Sequence, residues 1–327
     1  MSRYSEAHAK PQGPGDARPT ALQIIKDEGA EGKLVGQYIV ITGTSSGIGV
    51  ETAKALATTG AKLFLTARDV SKAQTALSSF FNPDTMEIVK MDQNSFVSIR
   101  SAAETILSKT SKIHLLVNNA GIMGIPTLSF TADGHELQFG TNHLSHFLLF
   151  ELLRPALLAN ASAELPSRVI SLSSTAHLFN GINDSDNYNF QKTPYEPNVS
   201  YGQSKTANLY FANEVERRFG SQHLHATSLH PGIIATGLAQ HMPADSWKGM
   251  DHIFPTMKSV EQGAATTVLA AVGNLEAQAG KYLVDCQVAG PHVEGEDKLT
   301  SKGYAPWAFD VQQATRLWED SLKIVGI

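Results

Sequence analysis

A tyrosine and a lysine four residues apart carry the clearest chemical signal in this sequence. Tyr201 and Lys205 stand near the start of a predicted helix, where a spacing of four places them on one face. A tyrosine hydroxyl, whose pKa is ordinarily about 10, is a poor acid or base at neutral pH, but a neighbouring ammonium favours the phenolate and lowers that pKa. The pair is therefore a candidate general acid/base, although an exposed lysine beside a half-buried tyrosine has the same spacing.

Two further polar side chains could join this pair. Ser174 follows a predicted strand, where its hydroxyl could donate a hydrogen bond to a substrate carbonyl. Asn142 stands among apolar residues in the stretch TNHLSHF of a predicted helix, so we expect its amide to be buried and hydrogen-bonded. A lone helix asparagine is more often a surface residue or a local cap, and only its apolar neighbours favour the buried interpretation.

A glycine-rich turn near the amino terminus has the form of a phosphate-binding loop. The apolar run 38–41 predicts a buried strand, and helical periodicity begins at Ile48. Gly43, Gly47 and Gly49 stand between strand and helix in a G-x-x-x-G-x-G spacing. The first turn of a helix carries unpaired N–H groups and the positive end of the helix dipole, and glycine lets a diphosphate approach them. An ordinary strand-to-helix turn is the rival interpretation.

The elements that must position these residues alternate along the chain. Short apolar runs predict seven strands, at 38–41, 62–67, 86–91, 113–117, 168–172, 226–229 and 281–285. Helical periodicity predicts helices that begin at Ile48 and span 71–81, 96–107, 133–158, 201–219, 259–272 and 306–324. This alternation predicts an α/β fold: a doubly wound, Rossmann-type, seven-stranded parallel sheet with helices on both faces. In such a sheet ligands bind beyond the carboxyl ends of the strands, where the glycine turn and Ser174 fall.

We predict a single domain at residues 34–327, preceded by an N-terminal arm at 1–33. The first 20 residues are polar and rich in proline and glycine, so we expect them to be extended or mobile. Two long segments, at about 176–198 and 233–258, are predicted to shape the substrate pocket. The second contains Trp247 and Phe254, whose aromatic side chains suit an apolar pocket. Surface packing or a subunit contact is the alternative role for both segments.

Bulk composition excludes several classes of function. The chain has 327 residues, of which 42% are hydrophobic and 17% charged, and a net charge of −5, so it has no basic footprint for nucleic acid. No apolar run approaches the roughly 20 residues of a membrane span. A single cysteine, Cys286, excludes an internal disulfide and favours a reducing compartment, and we expect a cytoplasmic protein. Four histidines at 143, 146, 177 and 230 lack carboxylates or cysteines at ligand spacing, so no metal is expected.

Six motifs occur together in a characteristic order: TGTSSGIG, NNAG, TNHLSHF, SLSSTAH, YGQSK and HPG. Over about Leu34 to Asp285 the chain resembles the short-chain dehydrogenase/reductase family, most closely the branch around retinol dehydrogenases and WW-domain oxidoreductases. That branch usually has a membrane-anchoring N-terminus where this chain has a polar arm, which argues against membrane-dissolved substrates. Related proteins often pair through the helices that carry Asn142 and Tyr201, so the resemblance leaves both a monomer and a homodimer open.

The resemblance assigns roles to the four candidate catalytic residues. It implies that Tyr201 is the general acid/base and that Lys205 lowers its pKa and bonds the nicotinamide ribose. Ser174, rather than Ser173, would orient the substrate carbonyl, and Asn142 would hold a water that relays protons to Lys205. The hydride belongs to the nicotinamide, while the protein supplies position and electrostatics.

The end of the second predicted strand indicates which dinucleotide is bound. NAD-preferring members place an acidic residue there to hold the ribose hydroxyls, but this chain has Arg68, whose guanidinium can bind a 2′-phosphate. Lys72, one helical turn beyond, adds charge, so we favour NADP(H) over NAD(H). The rival interpretation pairs Arg68 with Asp69 or with another surface acid. The remaining cofactor residues implied by the resemblance are Gly43, Ser45, Ser46, Gly47, Ile48, Gly49, Asp92, Asn119, Ile234 and Thr236, together with Tyr201 and Lys205.

The sequence thus predicts an NADPH-dependent oxidoreductase that reduces a ketone or aldehyde of a small, largely apolar molecule, or oxidises the alcohol. A biosynthetic reductase acting on C=N or C=C bonds would use the same residues and remains an alternative. A nucleotide-binding regulator without catalysis is a second alternative, against which the intact set of four candidate residues argues.

Overall fold

A single twisted sheet organises the computed structural model, which describes residues 3–241, 248–249 and 251–327. Its strand order is β3-β2-β1-β4-β5-β6-β7-β8. The strands are Tyr38–Thr42 (β1), Lys62–Ala67 (β2), Met86–Lys90 (β3), Leu115–Asn118 (β4), Ser167–Leu172 (β5), Leu224–His230 (β6), Tyr282–Val284 (β7) and Gln287–Val288 (β8). Strands β2 and β3 are added on one side of β1, and β4 and the later strands are added on the other side. This change in strand order between β1 and β4 opens a crevice at the carboxyl ends of these two parallel strands.

The doubly wound α/β fold predicted from the sequence is confirmed, with one correction to the strand count. Strands β1 to β7 pair in parallel, but β8 is an eighth strand that pairs with β7 antiparallel. Asp285 and Cys286 join these two strands, and both have left-handed φ angles, of 52° and 57°. Two such residues form the tight turn of a hairpin, which apolar periodicity in so short a strand does not reveal.

Helices cover both faces of this sheet. They are Ala21–Asp27 (α1), Ile48–Ala57 (α2), Val70–Leu77 (α3), Phe96–Leu107 (α4), Leu137–Phe139 (α5), Ser145–Asn160 (α6), Pro197–Phe219 (α7), Val260–Gly263 (α8), Ala265–Val272 (α9), Leu275–Gln278 (α10) and Val311–Val325 (α11). Successive side chains of β1 point to opposite faces of the sheet and belong to two different hydrophobic cores. Val40 packs with α4, α6, α7 and α11 on one face, whereas Ile39 and Ile41 pack with α1, α2 and α9 on the other. None of the helices within the described residues is both long and apolar enough to cross a bilayer.

The long helix predicted at 133–158 is interrupted around Asn142. Glu136 caps the short helix α5 through its carboxylate, a π-helical turn spans Gly140–Leu144, and α6 follows from Ser145. Asn142 lies inside the π-helical turn. Such wider turns are rare and often occur at functional sites, and hydrophobic periodicity alone cannot distinguish them from an α-helix.

Capping side chains explain the other shifted helix boundaries. Asp69 caps α3 by accepting a hydrogen bond from the Lys72 backbone, so α3 begins at Val70 rather than at 71. Asp310 caps α11, so that helix begins at Val311 rather than at 306. Helix α7 begins at Pro197, four residues before the predicted start, because proline is well suited to the first helical turn.

The first 20 residues, which were expected to be extended or mobile, contain buried side chains at Tyr4 and His8, and the helix α1 that follows them is packed into the domain. Within this N-terminal segment, Ile24 and Ile25 of α1 are fully buried, and α1 packs against α2 and α9. Arg18 is also buried, at 4% exposure. The apolar side chains of α1 supply burial energy that offsets the entropy of ordering this polar stretch.

The last helix covers the outer side of α6 and α7. Trp318 of α11 lies edge-on to Phe147 and Phe150, with ring centroids 4.9 Å and 6.0 Å away, and stacks on Phe211 of α7. The aromatic side chains on the outer side of α6 and α7 are therefore covered by the chain's own C-terminal helix.

Candidate active site

A cleft of about 870 Å³ opens at the carboxyl ends of the central strands. Its volume is at the upper end of the range for ligand sites, enough for a dinucleotide and a small molecule. All but one of the site residues predicted from the sequence line it: Gly43, Ser45, Ser46, Gly47, Ile48, Gly49, Arg68, Lys72, Asp92, Asn119, Ser174, Tyr201, Lys205, Ile234 and Thr236. The exception, Asn142, lies behind the cleft wall.

The glycine turn between β1 and α2 is shaped so that only glycine fits. A Cβ on Gly49 would lie 2.3 Å from the Gly43 carbonyl oxygen and 2.6 Å from Asn119 Nδ2. Gly43 and Gly47 have φ angles of +73° and +62°, in the left-handed region that favours glycine. No side chain caps the N-terminus of α2 at Gly47, so its first N–H groups are available to an anion. The turn therefore fits a diphosphate.

Positive charge stands at the end of β2, without the acidic partner that the rival interpretation required. The side chain of Asp69 accepts a hydrogen bond of 2.9 Å from the Lys72 backbone and caps α3. Within the described residues no ion pair joins Arg68 to Asp69, and Arg68 is exposed on the cleft wall beside Lys72. Both cations are thus positioned to bind an anionic group in the cleft.

Three cleft-lining side chains carry buried polar atoms without a partner in the described part of the chain. They are Asn119 Oδ1, Gln93 Nε2 and Asn180 Oδ1. The other amide atom of Asn119 donates to the Thr42 carbonyl at 2.7 Å, which holds the side chain against the glycine turn. Buried polar atoms are normally satisfied, so these atoms indicate where a ligand would bond. The sequence did not point to Gln93, although it directly follows Asp92 in the loop after β3.

Tyr201 and Lys205 lie together at the inner end of the cleft, 7% and 5% exposed. The Lys205 Nζ is 5.4 Å from the Tyr201 ring centroid and donates to the Leu172 carbonyl at 3.2 Å. Ser174 Oγ accepts a hydrogen bond of 3.2 Å from the Ala176 backbone. Because this bond uses an oxygen lone pair, the hydroxyl proton of Ser174 can still be donated.

Ser173 and Ser174 are distinguished by their partners. The Ser173 hydroxyl donates to the Lys205 carbonyl at 2.7 Å and so supports α7. The Ser174 hydroxyl instead acts on Tyr201 and opposes the rise that burial causes in the Tyr201 pKa. This arrangement supports the assignment of Ser174, rather than Ser173, to a substrate oxygen.

The pKa values of the tyrosine and lysine are governed by burial, which corrects the expected effect of Lys205 on Tyr201. Burial raises the pKa of Tyr201 to about 12, against the opposing hydrogen bond from Ser174. Burial also lowers the pKa of Lys205 to about 8. Desolvation disfavours the charged form of each group and is the largest cause of both shifts. Near neutral pH, Tyr201 therefore holds a proton that it can donate, and Lys205 can exchange one.

Asn142 is fully buried and hydrogen-bonded to the loop after β4. Its Oδ1 accepts from the Ile122 backbone at 2.9 Å, and its Nδ2 donates to the Ile122 carbonyl and to Ser204 Oγ. A Cβ on Gly121 would lie 3.2 Å from Asn142 Oδ1 and 3.6 Å from Lys205 Nζ, so both groups approach the same glycine. The side chain positions this loop beside Lys205. That it also holds a relay water stays a prediction.

His146 connects Asn142 to the dinucleotide end of the cleft, a link that the sequence did not reveal. Its Nδ1 lies 2.9 Å from the Asn142 carbonyl and its Nε2 lies 2.9 Å from Thr42 Oγ1. A carbonyl only accepts, so Nδ1 carries the hydrogen and Nε2 accepts from the threonine. The same threonine oxygen accepts the backbone N–H groups of Asn119 and Ala120. Burial lowers the pKa of His146 to about 4, so the ring is neutral.

The histidines considered as metal ligands make structural contacts instead. His177 donates from Nδ1 to the Ser174 carbonyl at 2.6 Å and accepts from the Ala305 backbone, which orients the turn after Ser174. His143 bonds Ser321, and His230 accepts from the Thr175 backbone. Across the described residues, no three potential ligand side chains gather around one point.

The remaining wall of the cleft carries no charged side chain among the described residues. Both long segments predicted to shape the pocket contribute to it, and Trp247 of the second lies outside the described residues. The wall consists mainly of Met123, Thr175, Ala176, Phe179, Asn180, Asn198, Val199, Leu238, Ala239, Gln240, Ile253 and Leu299. Phe179 is 50% exposed and so offers an aromatic face at the opening.

Sequence comparison identifies proteins similar to this chain. A family model described as "short chain dehydrogenase" matches residues 37–247. The short-chain dehydrogenase/reductase prx1 of Penicillium roqueforti is 43% identical, with 99% of this chain and 95% of the relative covered. Retinol dehydrogenase 12 of Mus musculus is 36% identical over 90% of this chain and 88% of that protein.

Structural comparison gives the same picture. An uncharacterized protein from Mycobacterium paratuberculosis superposes with a TM-score of 0.70 at 30% identity, and the match covers 95% of this chain and 98% of that one. The similarity therefore extends over nearly the whole chain, including residues outside the family model.

Proposed function

The chain belongs to the short-chain dehydrogenase/reductase family, near the retinol dehydrogenases, and from this premise we propose that it is an NADPH-dependent carbonyl reductase. The family assignment carries the general reaction, oxidoreduction between an alcohol and a carbonyl with a nicotinamide dinucleotide. The proposal adds the cofactor form, the substrate class and the residue roles. It rests chiefly on one observation: Ser174, Tyr201 and Lys205 meet at the inner end of a cleft that begins at a diphosphate-shaped glycine turn.

The residue roles follow from the hydrogen-bond directions in the cleft. When bound, NADPH supplies the hydride. Ser174 donates its hydroxyl proton in a hydrogen bond to the substrate carbonyl oxygen and holds the carbonyl carbon toward the cofactor. Tyr201 is protonated at neutral pH because burial raises its pKa, so its hydroxyl protonates the oxygen as negative charge develops there. Lys205, whose pKa is lowered to about 8, returns a proton to this end of the site.

NADPH is preferred over NADH in this proposal because of the charge after β2. Arg68 and Lys72 both face the cleft, and the nearest acid in sequence, Asp69, is engaged as the cap of α3. A guanidinium can bind a 2′-phosphate through two N–H groups and stack on the adenine ring, whereas it offers no acceptor to ribose hydroxyls.

The substrate proposed is a neutral, largely apolar ketone or aldehyde. Beyond the cofactor residues, the described wall presents methionine, phenylalanine, leucine, isoleucine and valine side chains with a few amides. An uncompensated charge buried against such a wall would be costly. Acidic or phosphorylated carbonyl compounds are therefore expected to be poor substrates.

The decisive experiment measures NADPH oxidation by the full chain with a panel of neutral ketones and aldehydes. Tyr201→Phe is expected to lower kcat by about 10²-fold to 10⁴-fold, the usual contribution of a general acid, while NADPH binding measured by fluorescence titration stays unchanged. Tyr210→Phe is the matched control, because Tyr210 is on the same helix but its hydroxyl bonds the Trp307 carbonyl away from the cleft.

Three results would replace the proposal. Turnover of an imine or an activated alkene without carbonyl turnover would favour the C=N or C=C reductase. Tight NADPH binding without turnover of any panel member would favour the non-catalytic regulator. Full activity in Tyr201→Phe would remove the proposed proton donor.

A further inference from the structure

Arg18 is a buried arginine that is hydrogen-bonded mainly to backbone carbonyls. Its Nη atoms donate to the carbonyls of Thr256 at 2.8 Å and Met257 at 2.6 Å, with a longer contact of 3.4 Å to Pro255. A further bond of 3.0 Å reaches the Gly13 carbonyl. The planar guanidinium carries five N–H donors in a rigid arrangement, so one side chain can hold a whole row of carbonyls that a lysine could not.

The guanidinium is itself held in place on its other side. Arg18 Nε donates to Asp16 Oδ1 at 2.7 Å. Burial would raise the pKa of Asp16, but the hydrogen bonds from Arg18 and the Gln12 backbone outweigh it and lower the pKa to about 2, so the carboxylate stays charged. Gln262 of α8 donates to the backbone carbonyls of Asp16 and Arg18. Buried charged donors with every partner supplied are expensive to rearrange.

A second contact ties the same two segments together. The Gly13 backbone N–H donates to the Pro255 carbonyl at 2.9 Å. Gly13 has a φ of +106°, and a Cβ there would lie 3.1 Å from the Phe254 ring. The N-terminal segment therefore crosses residues 254–257 at close range, with a glycine at the point of closest approach.

The carbonyls that Arg18 holds are next to the wall of the cleft. Ile253, which lines the cleft, is two residues before Pro255. On the other side, the Lys258 backbone N–H donates to the Ile233 carbonyl at 2.9 Å, and Lys258 forms a β-bridge with Ile234. Ile233 and Ile234 both line the cleft. Arg18 is thus connected through one short stretch of backbone to the wall on each side of the substrate end.

We propose that Arg18 is a positioning residue for substrate recognition: it holds residues 253–258 so that Ile253, Ile233 and Ile234 keep their places in the cleft wall. This inference rests on the proposed carbonyl reductase function and deepens it. It gives the N-terminal segment a role in specificity, although none of the described residues of that segment lines the cleft. Loss of Arg18 would take away the donor that it supplies to the partly buried carbonyls of Thr256 and Met257, and residues 253–258 would shift to satisfy them.

The test compares Arg18→Gln and Arg18→Lys with the control Arg3→Gln. Arg3 is an exposed arginine of the same segment whose guanidinium donates to the Asp27 carbonyl, away from the cleft. For Arg18→Gln we expect KM for the carbonyl substrate to rise about tenfold, with the dissociation constant for NADPH unchanged. Arg18→Lys is expected to recover part of the loss, because it restores the charge but only one bonding direction. Arg3→Gln should match the wild type.

A second measurement keeps this inference separate from the proposed function. Amide hydrogen exchange of the wild type and of both Arg18 variants is compared, and Arg18→Gln is expected to accelerate exchange at 253–258 but not in the glycine turn at 43–49. If no carbonyl is turned over by the wild type, the proposed function fails while the exchange result still decides whether Arg18 holds this segment.

Three outcomes would overturn the inference. One is unchanged exchange at 253–258 in Arg18→Gln. Another is an unchanged KM in that variant despite faster exchange. The third is an equal loss of NADPH binding and of substrate binding in both Arg18 variants, which would indicate a general structural role.

Discussion

Burial shifts the pKa values of the two central ionisable groups of this site in opposite directions, upward for Tyr201 and downward for Lys205. Tyr201 and Lys205 are on one face of α7, but each is surrounded by protein, and desolvation penalises the phenolate of one and the ammonium of the other. The result is a protonated tyrosine beside a lysine whose pKa of about 8 is close to physiological pH. For a reductase this is the useful combination, because the alkoxide that forms needs a proton and the donor must then be recharged.

Arg68 is the residue through which the cofactor preference can be reversed. In Arg68→Asp, a carboxylate would accept hydrogen bonds from ribose hydroxyls and repel a 2′-phosphate. We expect KM for NADPH to rise at least about tenfold and KM for NADH to fall, so that the preference inverts. Steady-state kinetics with both cofactors measure the effect.

Lys33→Asp is a suitable control for this charge reversal, because Lys33 is exposed and does not line the cleft. An NADPH preference that survives unchanged in Arg68→Asp would assign the selectivity to another residue.

At the scale of elements, one wide turn and one helix matter most. The π-helical turn Gly140–Leu144 brings the carbonyl of Asn142 to His146 and its amide to the loop after β4, so a single local irregularity serves two connections. Helix α11 is amphipathic, and its apolar side closes the outer faces of α6 and α7. Because this surface is filled from within the chain, we propose that the protein does not pair through it.

Trp318→Ala tests the contribution of α11. Removing this buried indole leaves a cavity between α6, α7 and α11, and we expect the free energy of unfolding to fall by about 3–5 kcal/mol, as measured by chemical denaturation. Val311→Ala, on the exposed side of the same helix, should change stability by less than about 0.5 kcal/mol.

Light scattering of the wild type and Trp318→Ala adds an independent readout. A monomeric wild type and a tendency of Trp318→Ala to associate would agree with the covering role of α11. A stable wild-type dimer that Trp318→Ala dissociates would contradict it. So would a decrease in the free energy of unfolding in Trp318→Ala that is as small as the decrease in Val311→Ala.

At the scale of the molecule, the cleft collects residues from position 43 to position 299 because the parallel sheet places the carboxyl ends of its strands along one edge. The same fold buries several histidines, some beside the cleft and others away from it. His114, His143, His146, His177 and His230 all have pKa values lowered by burial, from 6.5 to about 4 or about 3. The charged form of each is therefore favoured only when the chain unfolds.

These histidines predict acid destabilisation over a defined interval. Between pH 6.5 and about 4 the unfolded chain binds protons that the folded chain does not, so the stability that is complete above pH 6.5 is lost as pH falls. Each group contributes up to about 1.4 kcal/mol per pH unit, and urea denaturation at a series of pH values measures the slope.

His143→Gln provides the internal test of this interval, because it removes one of these five histidine rings. The slope of the free energy of unfolding against pH should then fall by the contribution of about one proton. His241→Gln, at an exposed position, should leave the slope unchanged. A free energy of unfolding that stays constant from pH 6.5 to 4.5 in the wild type would refute the prediction.

The expectation of a cytoplasmic protein stays a prediction, and so do the roles assigned to the individual site residues.

What the sequence could determine was local. The strand, glycine turn and helix around Gly43–Gly49, the spacing of Tyr201 and Lys205, and the alternation of strands and helices all depend on neighbours within a few residues. From these the fold class followed correctly, and every predicted site residue except Asn142 lines the cleft.

Only the tertiary structure decided what depends on distant neighbours. The direction of the Tyr201 pKa, the withdrawal of Asn142 behind the wall and the neutral His146 between Thr42 and Asn142 all follow from burial, which no local pattern records. The polar N-terminal segment was expected to be extended or mobile, but Arg18 binds carbonyls more than 230 residues away. Spacing along the chain specifies which groups share a face; desolvation and long-range hydrogen bonds, which arise only on folding, determine their charge and their partners.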